Sequence, residues 1–173
     1  MANIDKLIPI ILRWEGHYVD DPLDRGGATN MGITLATWQR IGYDKNHDGH
    51  IDKEDVKQLD YNDFKYVFKS YWNTWLADSI NNQSIANILV DWVWGSGRWG
   101  VIIPQRILGV KPDGSVGPKT LQAVNDYQPQ EELFNKIKQA RIDFVNDICK
   151  HNPTQKRFLK GWLNRINSYT FTA

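Results

Sequence analysis

The chain has 173 residues, a formal net charge of +1 at pH 7 and eight tryptophans. That length is enough for one compact domain with a real hydrophobic core, and so small a net charge excludes the broad positive field typical of nucleic-acid-binding proteins. No apolar stretch is long enough to cross a membrane, and no signal peptide is evident. The single cysteine, Cys149, excludes an internal disulfide and is compatible with a reducing cytoplasm.

The first predicted helix leads to a carboxylate. Apolar residues recur at helical spacing over residues 4–12, and Glu15 lies four residues after Ile11, so it continues the apolar face. Gly16 follows and can end the helix. A carboxyl group against apolar neighbours resists ionisation, which is what a general acid near neutral pH requires. The pattern indicates Glu15 as a candidate acid, with a solvated glutamate at a helix end as the alternative.

The loop after Glu15 carries further carboxylates, a glycine pair and short hydrogen-bonding side chains: Asp20, Asp21, Asp24, Gly26, Gly27, Thr29 and Asn30. Aspartate, proline and glycine are also ordinary turn residues, so a plain surface loop is the alternative. A small β-hairpin is predicted around residues 20–33. Thr34 is predicted to cap a short helix that Gly42 ends.

The second strong motif is an acidic stretch over residues 44–55. It fits the twelve-residue calcium loop of the EF-hand, with oxygen-bearing side chains at positions one, three, five, nine and twelve and glycine at position six. Position twelve is an aspartate, whose reach is shorter than that of the usual glutamate. The prediction is a structural calcium ion, with a solvated acidic turn as the alternative. The expected ligands are Asp44, Asn46, Asp48, the backbone carbonyl of His50, Asp52 and Asp55.

The rest of the chain is predicted to be helical. Most aromatic residues that follow Asp60 are expected in the core, but Tyr71 and Trp72 are candidates to line a substrate cleft. Ser84 opens a strongly apolar helix, interpreted as the central buried one. Within it, Asp91 is interpreted as buried and satisfied, with a place in a cleft as the alternative. Further helices are predicted over residues 99–108, 131–150 and 158–166.

The segment around Glu15 resembles a known family. Glu15-Gly16-His17-Tyr18, followed by Gly-Gly-Ala-Thr-Asn and Met-Gly-Ile-Thr, is similar to the N-terminal signature of glycoside hydrolase family 108. These are lysozyme-like N-acetylmuramidases of phage endolysins and bacteria. The family signature has a second glycine where this chain has His17. Residues 105–121 are similar to the predicted peptidoglycan-binding segment that closes family 108 proteins.

The resemblance implies a predominantly all-α, lysozyme-like single domain. Residues 1–95 would form the catalytic region, and residues 96–173 a helical, peptidoglycan-binding-like region packed in the same globule. The implied reaction is cleavage of the β-1,4 bond between N-acetylmuramic acid and N-acetylglucosamine, with Glu15 as the general acid. Asp24 is the preferred second carboxylate and Asp20 the alternative. Tyr18 and Thr29 are candidates for orienting substrate or water.

Two other interpretations of the sequence remain. A lytic transglycosylase would cleave the same bond with one glutamate and form an anhydro sugar, and a non-catalytic, calcium-dependent module would only bind the wall. The expected partner is the glycan strand of peptidoglycan, without nucleic acid or membrane insertion, and the chain is expected to be a monomer. Catalysis is expected to need no cofactor. The protein is expected to be made in the cytoplasm and to reach the wall after release or export by a route other than a signal peptide.

Overall fold

The computed structural model describes residues 1–21 and 27–173. Within these residues the chain forms nine α-helices and a small antiparallel sheet, which confirms the predominantly helical, lysozyme-like fold. No helix among them is long and apolar enough to cross a membrane. The helices are α1 Ile4–Trp14, α2 Leu35–Ile41, α3 Lys53–Lys57, α4 Tyr61–Thr74, α5 Gln83–Ser96, α6 Trp99–Leu108, α7 Pro118–Asp126, α8 Gln130–His151 and α9 Lys156–Ser168. The strands are β1 Val19–Asp20, β2 Ala28–Asn30 and β3 Ile33–Thr34, in the order β1-β2-β3.

The chain divides into two compact units, which we call the smaller unit (residues 5–70) and the larger unit (residues 1–4 and 71–173). These units follow from backbone packing. The predicted catalytic and peptidoglycan-binding-like regions, residues 1–95 and 96–173, follow instead from sequence resemblance, and that division stays a prediction.

The smaller unit contains the sheet and the helices that border it. The predicted cap is confirmed: the Thr34 hydroxyl oxygen accepts the Thr37 backbone N–H at 3.2 Å at the start of α2. The helix ends at Gly42, whose N–H donates to the Trp38 carbonyl. A Cβ at Gly42 would lie 2.2 Å from the buried Trp38 ring, so only glycine fits where the chain turns into the acidic loop.

The larger unit is built on α5, as predicted. Every residue of α5 from Ser84 to Val93 is buried except Asn87, because the helix packs against both α6 and α8. The Trp92 ring meets Phe144 of α8 edge to face, with centroids 5.9 Å apart. Helix α6 continues through an internal proline, Pro104. Helix α1, most of which lies in the smaller unit, likewise continues through Pro9.

Candidate active site

Glu15 lies directly after α1, on the helical turn that the buried face of the helix leads into. Its backbone N–H donates to the Ile11 carbonyl at 3.0 Å, and its side chain is half-buried. The carbonyl of Gly16 accepts the N–H of Met31 at 3.2 Å. Met31 stands in the turn between β2 and β3, so this bond holds the end of α1 beside the sheet. The predicted position of Glu15, at the end of a buried helical face, is therefore confirmed.

Two of the predicted substrate-binding residues lie on the sheet or directly beside it in the chain. Thr29 is half-buried at the middle of the central strand, where it pairs with Val19 of β1 and with Thr34 of β3. Tyr18 directly precedes β1, and the Lys57 ammonium lies 5.4 Å from the centroid of its ring. In the described ranges the buried Tyr18 hydroxyl has no hydrogen-bond partner. Such a group costs free energy unless water or a ligand satisfies it.

Of the two candidates for the second carboxylate, one lies among the described residues. The Asp20 carboxylate is partly exposed, and its Oδ2 atom lies 3.5 Å from the Lys53 ammonium of α3. Asp24, the preferred candidate, lies in residues 22–26, outside the described part of the chain.

The structure separates the two aromatic candidates on α4. Trp72 is 1% exposed, and its indole N–H donates to the Asp78 carboxylate at 2.9 Å. The prediction that Trp72 binds substrate is therefore wrong, because a side chain enclosed in the core presents no surface to a ligand. Tyr71 is half-buried and meets Trp94 edge to face at 4.8 Å, so part of its surface remains accessible.

The acidic loop gathers three of its predicted ligands. Carboxylate oxygens of Asp44, Asp48 and Asp55 all lie within 4.8 Å of one another. The Oδ1 atom of Asp44 is buried and accepts no hydrogen bond from any described residue. Asp55 is fully buried. Burial acts to raise the pKa of its carboxyl, but backbone N–H groups that donate to it, including that of Lys45, bring the pKa below the ordinary value.

The remaining predicted ligands are turned partly toward the backbone. Asp52 is not within the three-carboxylate cluster, because its side chain accepts the N–H of Glu54 and caps α3. Position nine of an EF-hand often binds its ion through water, so this cap does not remove Asp52 from the ligand set. The Asn46 side-chain oxygen accepts the N–H of Asp48 at 3.3 Å, and the N–H of His50 donates to Asp48 at 2.9 Å.

The acidic loop is anchored to the start of α4. Lys45 is only 12% exposed at its side chain and forms ion pairs with Asp63 and Asp60. Tyr43 donates its hydroxyl to Asp63 at 2.9 Å. Burial acts to lower the pKa of Lys45, but the bond and charge of Asp63 raise it overall. The ammonium group of Lys45, which is not one of the predicted calcium ligands, thus fixes the acidic loop to α4.

A buried hydrogen bond joins the acidic loop to the sheet. The Asn30 side-chain amide of β2 donates to the carbonyl of Val56 at 2.9 Å, and Val56 directly follows Asp55. Helix α3 packs against β2 along this contact. Sequence reasoning noted Asn30 as a hydrogen-bonding group but did not find this role, since 26 residues separate the partners.

Asp91 in the larger unit is buried and paired, which confirms the favoured interpretation. Its oxygens accept from Arg141 at 2.9 Å and from Arg165 at 2.7 Å. Burial acts to raise the pKa of Asp91, but the two guanidinium charges hold it below its ordinary value. Burial and the Asp91 charge raise the pKa of nearby Tyr169. The cluster ties α5 to α8 and α9.

Comparisons with known proteins cover both parts of the chain. The family model described as "Glycosyl hydrolase 108" matches residues 8–97, and the one described as "Predicted Peptidoglycan domain" matches residues 99–167. The solved "Structure of Brucella abortus SagA" is 32% identical in sequence, with a TM-score of 0.74; the match covers 95% of this chain and 90% of that chain. No curated protein sequence matches significantly. The first family match includes Glu15, the sheet and the acidic loop.

Proposed function

Because the chain belongs to the glycosyl hydrolase 108 family and carries a peptidoglycan domain, it is a peptidoglycan hydrolase, and we propose that it is an N-acetylmuramidase. The bond cleaved is the β-1,4 linkage between N-acetylmuramic acid and N-acetylglucosamine. The observation that carries this proposal is the half-buried Glu15 carboxyl at the end of α1, fixed beside the sheet by the bond between Gly16 and Met31.

Glu15 acts as the general acid. It donates a proton to the glycosidic oxygen as that oxygen leaves, which spares the departing sugar from forming an alkoxide. A second carboxylate either activates water or stabilises the positive charge that develops on the sugar ring. Asp24 is preferred for this role because Lys53 already engages Asp20.

Three further side chains have supporting positions in this proposal. Tyr18 offers a buried hydroxyl without a partner in the described ranges, and Thr29 lies on the central strand. Either hydroxyl would orient the water or a sugar group near the reacting bond. Tyr71, in the larger unit, stays a predicted substrate-binding residue, since part of its surface is accessible.

The decisive experiment replaces Glu15 by glutamine, which keeps the shape of the side chain but carries no acidic proton. Glu15→Gln is expected to lower the release of reducing ends from purified peptidoglycan at least about a hundredfold, the usual contribution of a general acid. Glu54→Gln is the matched control, since Glu54 is an exposed glutamate on α3. Similar activity in both variants, with unchanged circular dichroism, would refute the role of Glu15.

Mass spectrometry of the products separates the remaining alternatives. A hydrolase adds water and leaves a reducing N-acetylmuramic acid end, whereas a lytic transglycosylase leaves an anhydro end that is lighter by one water. Binding to sacculi without any new sugar ends would instead indicate a non-catalytic, calcium-dependent module.

We also infer that the acidic loop holds one calcium ion with a structural role. All of its side-chain donors are oxygens, which hard cations prefer, and the buried Oδ1 atom of Asp44 has bonding capacity that no described residue uses. The ion would be held by Asp44, Asp48 and Asp55, with Asn46, the His50 carbonyl and Asp52 completing the set. Calcium supplies no proton and takes no part in bond cleavage in this proposal, so its contribution is to hold α3 against β2. The chain is expected to act as a monomer.

A further inference from the structure

A shallow groove of about 600 Å³ lies between α6 and α8 in the larger unit. Its residues stand at positions 99, 103 and 106 of α6 and at positions 144, 147, 148 and 151 of α8, spacings that place each set on one side of its helix. The floor is half-buried and apolar, and consists of Ile103, Phe144 and Ile148. The rim is exposed, and consists of Trp99, Arg106, Asp147 and His151. All seven residues fall within the match to the peptidoglycan domain.

Trp99 gives the groove a flat aromatic wall. Trp99 is 48% exposed, although tryptophan is among the residues with most to gain from burial. The Arg106 guanidinium lies 6.0 Å from the centroid of its ring, a contact that restrains the orientation of the indole. An exposed, restrained indole suits the C–H face of a sugar ring, which is flat and apolar.

The rim supplies both hydrogen-bond donors and hydrogen-bond acceptors. His151 Nδ1 lies 2.8 Å from the Asp147 carbonyl. Since a carbonyl only accepts, Nδ1 carries the proton and Nε2 of the neutral ring is left as an acceptor. Among the residues that the structure describes, no hydrogen bond engages the side chain of Arg106 or the carboxylate of Asp147. Guanidinium donors and carboxylate and imidazole acceptors match the hydroxyl and N-acetyl groups of a glycan.

The charge of the rim favours a neutral ligand. The charges of Arg106 and Asp147 are opposite and balance each other, so this carboxylate and guanidinium together offer no net charge to an anionic or cationic ligand. An uncharged glycan therefore fits better than the charged peptide stems of the cell wall. An open groove also suits a chain that runs past on both sides, as a glycan strand does.

We propose that this groove, the Trp99 groove, binds the N-acetylated glycan strand of peptidoglycan, with a sugar ring stacked on Trp99. The proposal rests on the proposed function for its ligand, since the wall is the substrate. Binding there would hold the enzyme on insoluble wall and raise the effective concentration of scissile bonds.

The test measures co-sedimentation with purified sacculi at 4 °C. Trp99→Ala is expected to weaken binding about tenfold, as truncation of a central aromatic contact does. Phe158→Ala is the matched control, since Phe158 is also exposed, at 43%, and lies on α9 of the same unit, outside the groove. Arg106→Ala with Asp147→Asn provides a second variant that leaves the indole in place and is expected to weaken binding as well. Melting curves check that each variant is folded.

Two further measurements separate this proposal from the proposed function. Release of reducing ends from short soluble glycan fragments should be equal in Trp99→Ala and in the parent protein, and a parent without this release would refute the proposed function alone. Binding of chitin oligosaccharides, which are uncharged N-acetylated glycans without peptides, should also depend on Trp99. The proposal is overturned if Trp99→Ala binds sacculi like the parent, if Phe158→Ala weakens binding equally, or if binding of the chitin oligosaccharides does not depend on Trp99.

Discussion

Removal of calcium is expected to destabilise the protein through the acidic loop. Asp44, Asp48 and Asp55 bring three carboxylates within 4.8 Å, and without a cation their charges repel one another. Calcium loops with sensor affinity bind at about 10⁻⁷ to 10⁻⁵ M. We take the weak end of that range, about 10⁻⁵ M, because the aspartate at position twelve has a short reach. At about 1 mM calcium, occupancy then adds about 2.7 kcal/mol to the free energy of unfolding.

For a chain of this size that energy corresponds to a melting temperature higher by about 5–11 °C. The assay compares thermal melts in calcium and in chelator, together with calorimetric titration of calcium into demetallated protein. Asp44→Asn should abolish the difference, while its remaining oxygen can still accept the N–H of Gly49. Glu54→Gln also removes one negative charge, from an exposed residue next to the ligand Asp55, and should keep the difference in melting temperature between calcium and chelator. No binding heat, with equal melting temperatures in calcium and chelator, would refute the reasoning.

Two other predictions concern single carboxylates. Asp91→Asn should lower the free energy of unfolding by about 3–5 kcal/mol, because it leaves the buried guanidinium of Arg141 without its counter-charge. Since the folded-state pKa of Asp91 lies below its unfolded value of about 3.9, its contribution is full above that pH and is lost as the pH falls through the folded-state pKa. Chemical denaturation at several pH values should therefore give free energies of unfolding for the parent protein and for Asp91→Asn that become equal only in acid. If Asp24 is the second carboxylate, Asp24→Asn should lower turnover of peptidoglycan more than Asp20→Asn does. A turbidity assay that compares the two variants side by side checks this, and the reverse order would assign the role to Asp20.

Local patterns in the sequence predicted much of the fold. The helical spacing that ends at Ile11 placed Glu15 at the end of a buried face, and Thr34 and Gly42 marked both ends of α2. Such features depend on neighbours within a few residues, so the sequence displays them directly. The gathering of Asp44 with Asp55 is local in the same sense, since the loop turns through glycine at a fixed position.

Partners that are distant in the chain could not be predicted in this way. Helical periodicity shows which face of a helix is apolar, but not whether a large aromatic on that face lines a cleft or fills the core. Trp72 was misassigned for that reason, and only its bond to Asp78 and its burial decide the question. Likewise, the sequence suggested that Asp91 is satisfied but did not identify Arg141 and Arg165, which lie 50 and 74 residues away.

The bond between Asn30 and Val56 has a consequence for how such sequences diverge. The amide of Asn30 satisfies a buried carbonyl whose position depends on the loop that ends one residue earlier, at Asp55. An asparagine at position 30 should therefore be retained only in related sequences that keep the acidic loop of residues 44–55. Where descendants have replaced residues 44–55 by a short connection, position 30 should be free to drift to other residues, so the two features should be inherited and lost together.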